Sequence, residues 1–284
     1  MIADVSRQPS SPSDASGPRV RSDSPPDPRT TSSPSACSRR ALLALAGGGL
    51  SATSGCLSAL GSSGESNADV ALTTERLAFE DGFGPEVASL AGTYGEHGVW
   101  GQSEGPGVDG PTYVGAYRDS ISVPGDDGSG VPESWVTADV AAVVYRLDGD
   151  ERAYRVWLWA GARANQPDGG LGRASVTRVS VGAAAGRGWT LDGYAPRGAF
   201  REGPVPVSLG ERGPSGRTPL HGGGIAPDDG GRTGGDGRFG VAWQGIARDV
   251  RSANAVCEFG PASGEDRPFE ARATFGVAGG RGVL

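Results

Sequence analysis

The clearest hydrophobic pattern in the chain is a pair of apolar runs separated by a short polar turn. Residues 140–147 read VAAVVYRL and residues 152–160 read RAYRVWLWA, with the turn DGDE at 148–151 between them. An Asp-Gly turn between runs rich in β-branched and aromatic residues predicts a β-hairpin. Both faces of each run are apolar away from the turn, so we expect the hairpin in the middle of a packed sheet.

Alternation of side chains predicts which residues of the hairpin share a face. If positions are counted from the turn at 148–151, the alternation places Trp157 and Trp159 on the same face as Val140 and Val144. Aromatic side chains dominate the cores of β-sandwiches, so both tryptophans are expected inside the protein.

Further apolar patterns predict the rest of the fold. Strands are predicted at 113–123, 175–181, 239–246, 253–259 and 269–277, and a short helix at 85–91. Strand and helix do not alternate along the chain, so a parallel sheet is not expected. The pattern predicts an all-β fold, either an antiparallel β-sandwich or a flattened barrel, with Gly-rich loops.

An ordered set of export signals lies near the N-terminus. Arg39 and Arg40 precede a short apolar stretch at 41–50, and small residues at 53–55 precede Cys56. These residues resemble the twin-arginine lipoprotein signal of the kind common in extreme halophiles. The resemblance implies that the twin-arginine translocase exports a folded domain and that a lipid on Cys56 anchors it to the outer face of the membrane.

The segments around this signal, which spans 38–56, differ in composition. Residues 1–37 are rich in Ser, Pro, Asp and Arg, and we expect them to be disordered or to lie upstream of the true start. The Gly- and Ser-rich residues 57–70 predict a flexible tether. Residues 71–284 are expected to form a single β-rich exported domain, with one long loop near 203–237.

Composition narrows the class of partner. The net charge is -7, and all 26 Lys+Arg residues are arginine. Nucleic acid is not expected as a partner, since its binding requires a basic patch. An acidic chain without lysine is typical of halophile surfaces or of a GC-rich genome. Cys37 and Cys56 belong to the N-terminal segments, which leaves Cys257 without a disulfide partner in the domain.

Motifs for catalysis and metal binding are weak. Residues 101–105 match G-x-S-x-G, but the Gly- and Pro-rich sequence after Ser103 cannot form the helix that this motif requires. His97, His221 and Cys257, in a domain without methionine, cannot complete a blue-copper site, and their spacing is not that of structural zinc. We therefore predict no catalytic residue, no metal and no cofactor.

Four residues are left as candidates for ligand binding: Trp100, His221, Asp228 and Asp229. Trp100 is flanked by Gly98 and Gly101 and is expected to be exposed. The acidic pairs at 126–127 and 228–229 lack the spacing of a calcium loop. We therefore interpret them as acidic loop residues exposed to a salty medium, and not as calcium ligands.

These observations favour a lipid-anchored cell-surface protein that binds or scaffolds at the envelope without catalysis. The alternative is a surface hydrolase that uses dispersed carboxylates, for example on carbohydrate. A transporter's solute-binding lipoprotein is disfavoured, because such proteins resemble two-lobed α/β folds and this chain lacks the helices.

Overall fold

The predicted strands form a two-layer antiparallel sandwich in the computed structural model of the protein. The structure describes residues 61–79, 81–102, 108, 110–125, 133–147, 152–166, 173–211, 213–228, 237–262 and 267–282. All of them lie within one compact unit, Thr53–Leu284. The all-β prediction is confirmed, and of its two forms the sandwich is correct.

The described ranges contain twelve strands and one α-helix. They are β1 (Gly61–Thr73), α1 (Gly84–Tyr94), β2 (Thr112–Gly125), β3 (Glu133–Arg146), β4 (Tyr154–Ala164), β5 (Arg173–Ala185), β6 (Trp189–Ala195), β7 (Val205–Val207), β8 (Gly216–Thr218), β9 (Gly224–Pro227), β10 (Arg238–Ala247), β11 (Arg251–Pro261) and β12 (Glu270–Gly282). Within these ranges, no helix has both the length and the apolar character needed to cross a membrane.

Two five-stranded sheets make up the sandwich. Sheet I has the strand order β1-β12-β5-β10-β9, and sheet II has the order β2-β3-β4-β11-β6. A small third sheet pairs β7 with β8. Apolar side chains from the facing surfaces of sheets I and II form the larger core, which includes Leu158, Val181 and Phe275.

The predicted hairpin is formed by β3 and β4 in the middle of sheet II, and the residues of its turn, 148–151, lie outside the described residues. The prediction of which side chains share a face is wrong. Arg146 pairs with Tyr154, so even-numbered residues of β3 face even-numbered residues of β4. Trp157 and Trp159 therefore lie in a second core, on the face of sheet II opposite to Val140.

The second core explains why both faces of the hairpin are apolar. Side chains of α1, such as Val87 and Leu90, and of the small sheet, such as Val207, pack against Trp157 and Trp159. Sheet II is thus covered on both faces.

The predicted tether at 57–70 is wrong from Gly61 onward. Residues 61–73 form β1, which pairs with β12 along its whole length, from Gly61↔Gly282 to Thr73↔Glu270. Backbone hydrogen bonds to a neighbouring strand do not require apolar side chains, so a Ser- and Gly-rich segment can form an edge strand. The domain therefore begins no later than Gly61. The export signal, with Arg39, Arg40 and Cys56, lies outside the described residues and stays a prediction.

The stretch near 203–237 is also not one long loop. It contains β7, β8 and β9, each with a buried anchor: Val205, Thr218 and Ile225. Short strands with one or two buried residues carry too few apolar positions for periodicity to detect. Residues 229–236 of this stretch lie outside the described residues.

Candidate functional site

Trp100 is not the exposed ring that the sequence predicted. It is only 4% exposed, and its ring lies 6.2 Å from that of Trp157 in the second core. The cause is the close approach of two backbone segments. Gly101 has a φ of 66° and lies against the carbonyl of Arg217 so closely that any Cβ there would clash. This contact holds the Val99–Gly101 turn against β8 and turns the tryptophan inward.

The structure separates the other candidate residues. His221 lies in the loop between β8 and β9, where its ring contacts Glu96. Asp228 directly follows β9 and forms an ion pair with Arg178 of sheet I. Asp229, the acidic pair at 126–127 and Ser103 lie outside the described residues. His221 therefore lies near the turn that carries Trp100, whereas Asp228 lies at sheet I.

A groove of about 680 Å³ crosses the face of sheet I that is turned away from sheet II. Its floor consists of small side chains on the three middle strands. Thr274 of β12 pairs with Gly182 of β5, which pairs in turn with Gly240 of β10. A glycine inside a strand weakens the strand, and it often marks a place where a ligand or another backbone approaches closely.

Charged residues surround this floor. Arg272 and Arg238 pair with Ala184 from its two sides, so that two arginines flank one small residue. Asp69 of β1 pairs with Thr274 of β12. On the other side, the backbone N–H of Asp228 donates to the carbonyl of Gly240 at 2.9 Å. The arginine pair marks one end of the groove, Asp69 and Asp228 lie at its sides, and Glu65 of β1 also lines it.

The ion pairs of the groove differ in strength. Arg178 and Asp228 are both partly buried, and they make a direct salt bridge. Arg272 and Asp69 are 4.0 Å apart and mostly exposed, a geometry that contributes little to stability. Arg272 can therefore turn toward a ligand at small cost.

The lining also limits the kind of ligand. Among the described lining residues, the aromatic ones are Phe239 and Phe275, and both are buried beneath the floor. Stacking of a sugar on an exposed ring is therefore not the chemistry of this groove. Guanidinium groups beside small polar residues instead suit a polar ligand that carries an anionic group.

A second cluster of polar side chains lies beyond sheet II. It contains both histidines of the chain, His97 and His221, together with Glu96. Nε2 of His221 is 2.7 Å from Oε1 of Glu96, and the two imidazole rings have centroids 5.8 Å apart. The side chains of Glu96 and His221 are each 58% exposed, whereas His97 is buried.

The surroundings of His97 keep its ring neutral. Burial, and after it the positive charge of Arg251, lower the pKa of His97 to about 4. The hydrogen bond from His221, and the positive charge of the nearby Arg217, hold the pKa of Glu96 below its usual value. At neutral pH the cluster therefore contains an imidazole with a free lone pair next to a carboxylate.

No protein-family model matches this chain, and none of the curated proteins compared with it matches either. Both sites are therefore interpreted from their geometry. Sequence reasoning missed Arg178, Arg238 and Arg272 of the groove. One signal was present: Gly182, Gly240 and Gly276 lie within or directly beside the predicted strands.

Proposed function

We propose that this protein is a lipid-anchored cell-surface module that binds a ligand without catalysis, and that the groove on sheet I is its binding site. The proposal rests on two arginines, Arg272 and Arg238, that flank Ala184 on neighbouring strands. Beside them, Gly182 and Gly240 leave the floor of the groove without side chains. Exposed sheet faces usually carry large polar side chains, so a depressed face with paired arginines favours an occupant.

The ligand is a small polar molecule with at least one carboxylate. Two guanidinium groups that flank Ala184 can each donate paired hydrogen bonds to a carboxylate. The rest of the molecule lies across Gly182 and Gly240, where the glycines allow close approach. The volume of about 680 Å³ lies within the range of about 300–1,000 Å³ for small-molecule sites.

The spacing of Asp69 and Asp228 favours binding over hydrolysis. Asp69 on β1 and Asp228 after β9 flank the floor of the groove, at opposite edges of five strands. Neighbouring strands are about 4.8 Å apart, so the two backbones are separated by roughly 19 Å. Paired carboxylates that cleave glycosidic bonds are about 5–9.5 Å apart. This pair does not support the alternative of a carbohydrate hydrolase.

The binding site is tested by titrating the full-length protein with acetate, succinate and citrate and following the chemical shifts of backbone amides. We expect saturable shifts at Gly182 and Gly240, and a loss of affinity of about tenfold or more in Arg272→Gln and Arg238→Gln. Arg201→Gln, an exposed arginine outside the groove, is the matched control. If all three variants bind like the parent, or if no probe shifts these amides, the groove is not the site.

The anchor is tested separately by cell fractionation. Cys56→Ser should release the exported domain from the membrane, and a change of Arg39 and Arg40 to Lys should hold the protein inside the cell. A Cys56→Ser protein that stays in the membrane as tightly as the parent contradicts lipid anchoring. Undiminished export of the double-lysine variant contradicts the twin-arginine route.

A further inference from the structure

The fold brings together three metal-ligating side chains that are far apart in the sequence. Glu96 and His97 end the turn after α1, and His221 lies 124 positions after His97, between β8 and β9. One ligand atom from each residue lies within 4.8 Å of the other two. We infer that Glu96, His97 and His221 bind one divalent transition-metal ion, with Zn²⁺ as the reference ion.

The distances suit coordination after small movements. Bonds of about 2.0–2.1 Å from a tetrahedral zinc ion to nitrogen and oxygen place its ligand atoms roughly 3.3 Å apart. In the structure without an ion, Nε2 of His221 and Oε1 of Glu96 are 2.7 Å apart and joined by a hydrogen bond. Both side chains are exposed, so they can separate slightly to admit an ion.

His97 is the rigid member of the cluster. Its Nδ1 lies 3.0 Å from the hydroxyl of Ser252, a buried residue of β11, and its backbone carbonyl accepts a hydrogen bond of 2.9 Å from the indole of Trp159. A ligating histidine typically engages an oxygen through its second ring nitrogen, which sets the direction of the first. Ser252 has this role here, and it leaves Nε2 of His97 for the metal.

The charges around the cluster are balanced. Arg251 faces His97, but it forms a salt bridge of 2.9 Å to Asp249. Arg217 lines the same cavity as Glu96. The carboxylate of Glu96 thus supplies the negative charge among the three proposed ligands.

The ligand set indicates the kind of metal site. Two imidazoles and one carboxylate suit Zn²⁺ and other late first-row divalent ions. Three protein ligands leave a fourth position open, as in sites that exchange water or bind a further ligand. Glu96 also lines a cavity of about 750 Å³ together with Gln102, Ser208 and Arg217, so that a ligand in the fourth position has room.

The proposed metal site does not depend on the groove. It differs from the prediction, made from the sequence, that the protein binds no metal. That expectation rested on the spacing of ligands along the chain. Spacing detects pairs of ligands within one loop, but it cannot detect His97 and His221, which converge only when β8 packs against the Val99–Gly101 turn.

The test is metal binding by the full-length protein, purified without a histidine tag and treated with a chelator. Zn²⁺ is titrated calorimetrically, and Co²⁺ is titrated to record the visible absorption of a tetrahedral site. The variants are Glu96→Gln and His221→Gln, whose side chains are exposed and whose loss should leave the fold intact. Glu211→Gln, an exposed acid outside the cluster, is the matched control.

We expect one Zn²⁺ per chain and a dissociation constant at least about tenfold higher in Glu96→Gln and His221→Gln than in the parent. Glu211→Gln should bind like the parent. A parent that binds no Zn²⁺, or that binds it equally well in all the variants, would show that Glu96 and His221 form only a surface ion pair.

Discussion

The hydrogen bond between Trp157 and Asn254 is expected to be a main source of stability in the second core. Nε1 of Trp157 donates to Oδ1 of Asn254 at 3.0 Å, and neither side chain is accessible to water. Trp157→Phe keeps an aromatic ring in this core but removes the donor. The amide oxygen of Asn254 is then buried without this partner.

The expected loss has two parts. A buried acceptor left unpaired costs about 1–3 kcal/mol, and the cavity from the missing ring atoms adds about 1 kcal/mol. Trp157→Phe should therefore lower the free energy of unfolding by about 2–4 kcal/mol. This is a large part of the roughly 5–15 kcal/mol that stabilises a typical domain.

The assay is equilibrium unfolding in urea, followed by circular dichroism, because Trp157 itself contributes to the fluorescence. Ile246→Ala is the control, since this side chain is 68% exposed and its change should stay within about 0.5 kcal/mol. In the double variant with Asn254→Leu the amide oxygen is removed together with the indole donor, so its loss should be smaller than the sum of the single losses. A Trp157→Phe loss no larger than that of Ile246→Ala, or strictly additive losses, would refute this account.

Three further predictions concern buried residues of the two cores. Trp100→Ala should cost about 3–5 kcal/mol in urea unfolding, because its ring is buried against Trp157. Gly101→Ala should lower the melting temperature far more than Gly210→Ala, since both glycines have a positive φ but only Gly101 is packed against a backbone; equal effects would contradict the close approach. Burial raises the pKa of the Cys257 thiol, so iodoacetamide should label Cys257 only in urea, as mass spectrometry can show.

The parts of the fold that were predicted correctly have a strong local pattern. From Phe269 into β12, the side chains of Phe269, Ala271 and Ala273 are buried and those of Glu270 and Arg272 are exposed, which is the alternation that the sequence predicts. Period-2 alternation depends only on neighbouring residues, so it can be identified without knowledge of the partner strand.

The errors concern relations between distant residues. The face shared by Trp157 and Trp159 depends on the register of the hairpin, and the register depends on the number of residues in its turn. Seven residues lie between Arg146 and Tyr154. The turn predicted at 148–151 has only four residues and so places Leu147 opposite Arg152. That placement shifts the register by one position and moves every side chain of one strand to the opposite face.

The candidate sites were beyond the reach of sequence reasoning for the same reason. The arginines of the groove are joined by the pairing of β12, β5 and β10, and Ala184 between them carries no chemical signal of its own. The burial of Trp100 also depends on a contact between residues that are distant in the sequence. Its glycine neighbours indicate a loop, but the approach of Arg217 to Gly101 is what turns the ring inward.

His97 connects the proposed metal site to the most deeply buried part of sheet II. Its backbone is held by Trp159 and its ring by Ser252, so its position is set by the core before any ion binds. Glu96 and His221 are exposed and must lose side-chain freedom on binding, which weakens the affinity by a modest amount for each. Removal of an exposed ligand should therefore alter metal affinity but hardly the stability of the metal-free domain. Changes at Ser252 or Trp159 should alter both, because the same groups support the core and aim the histidine.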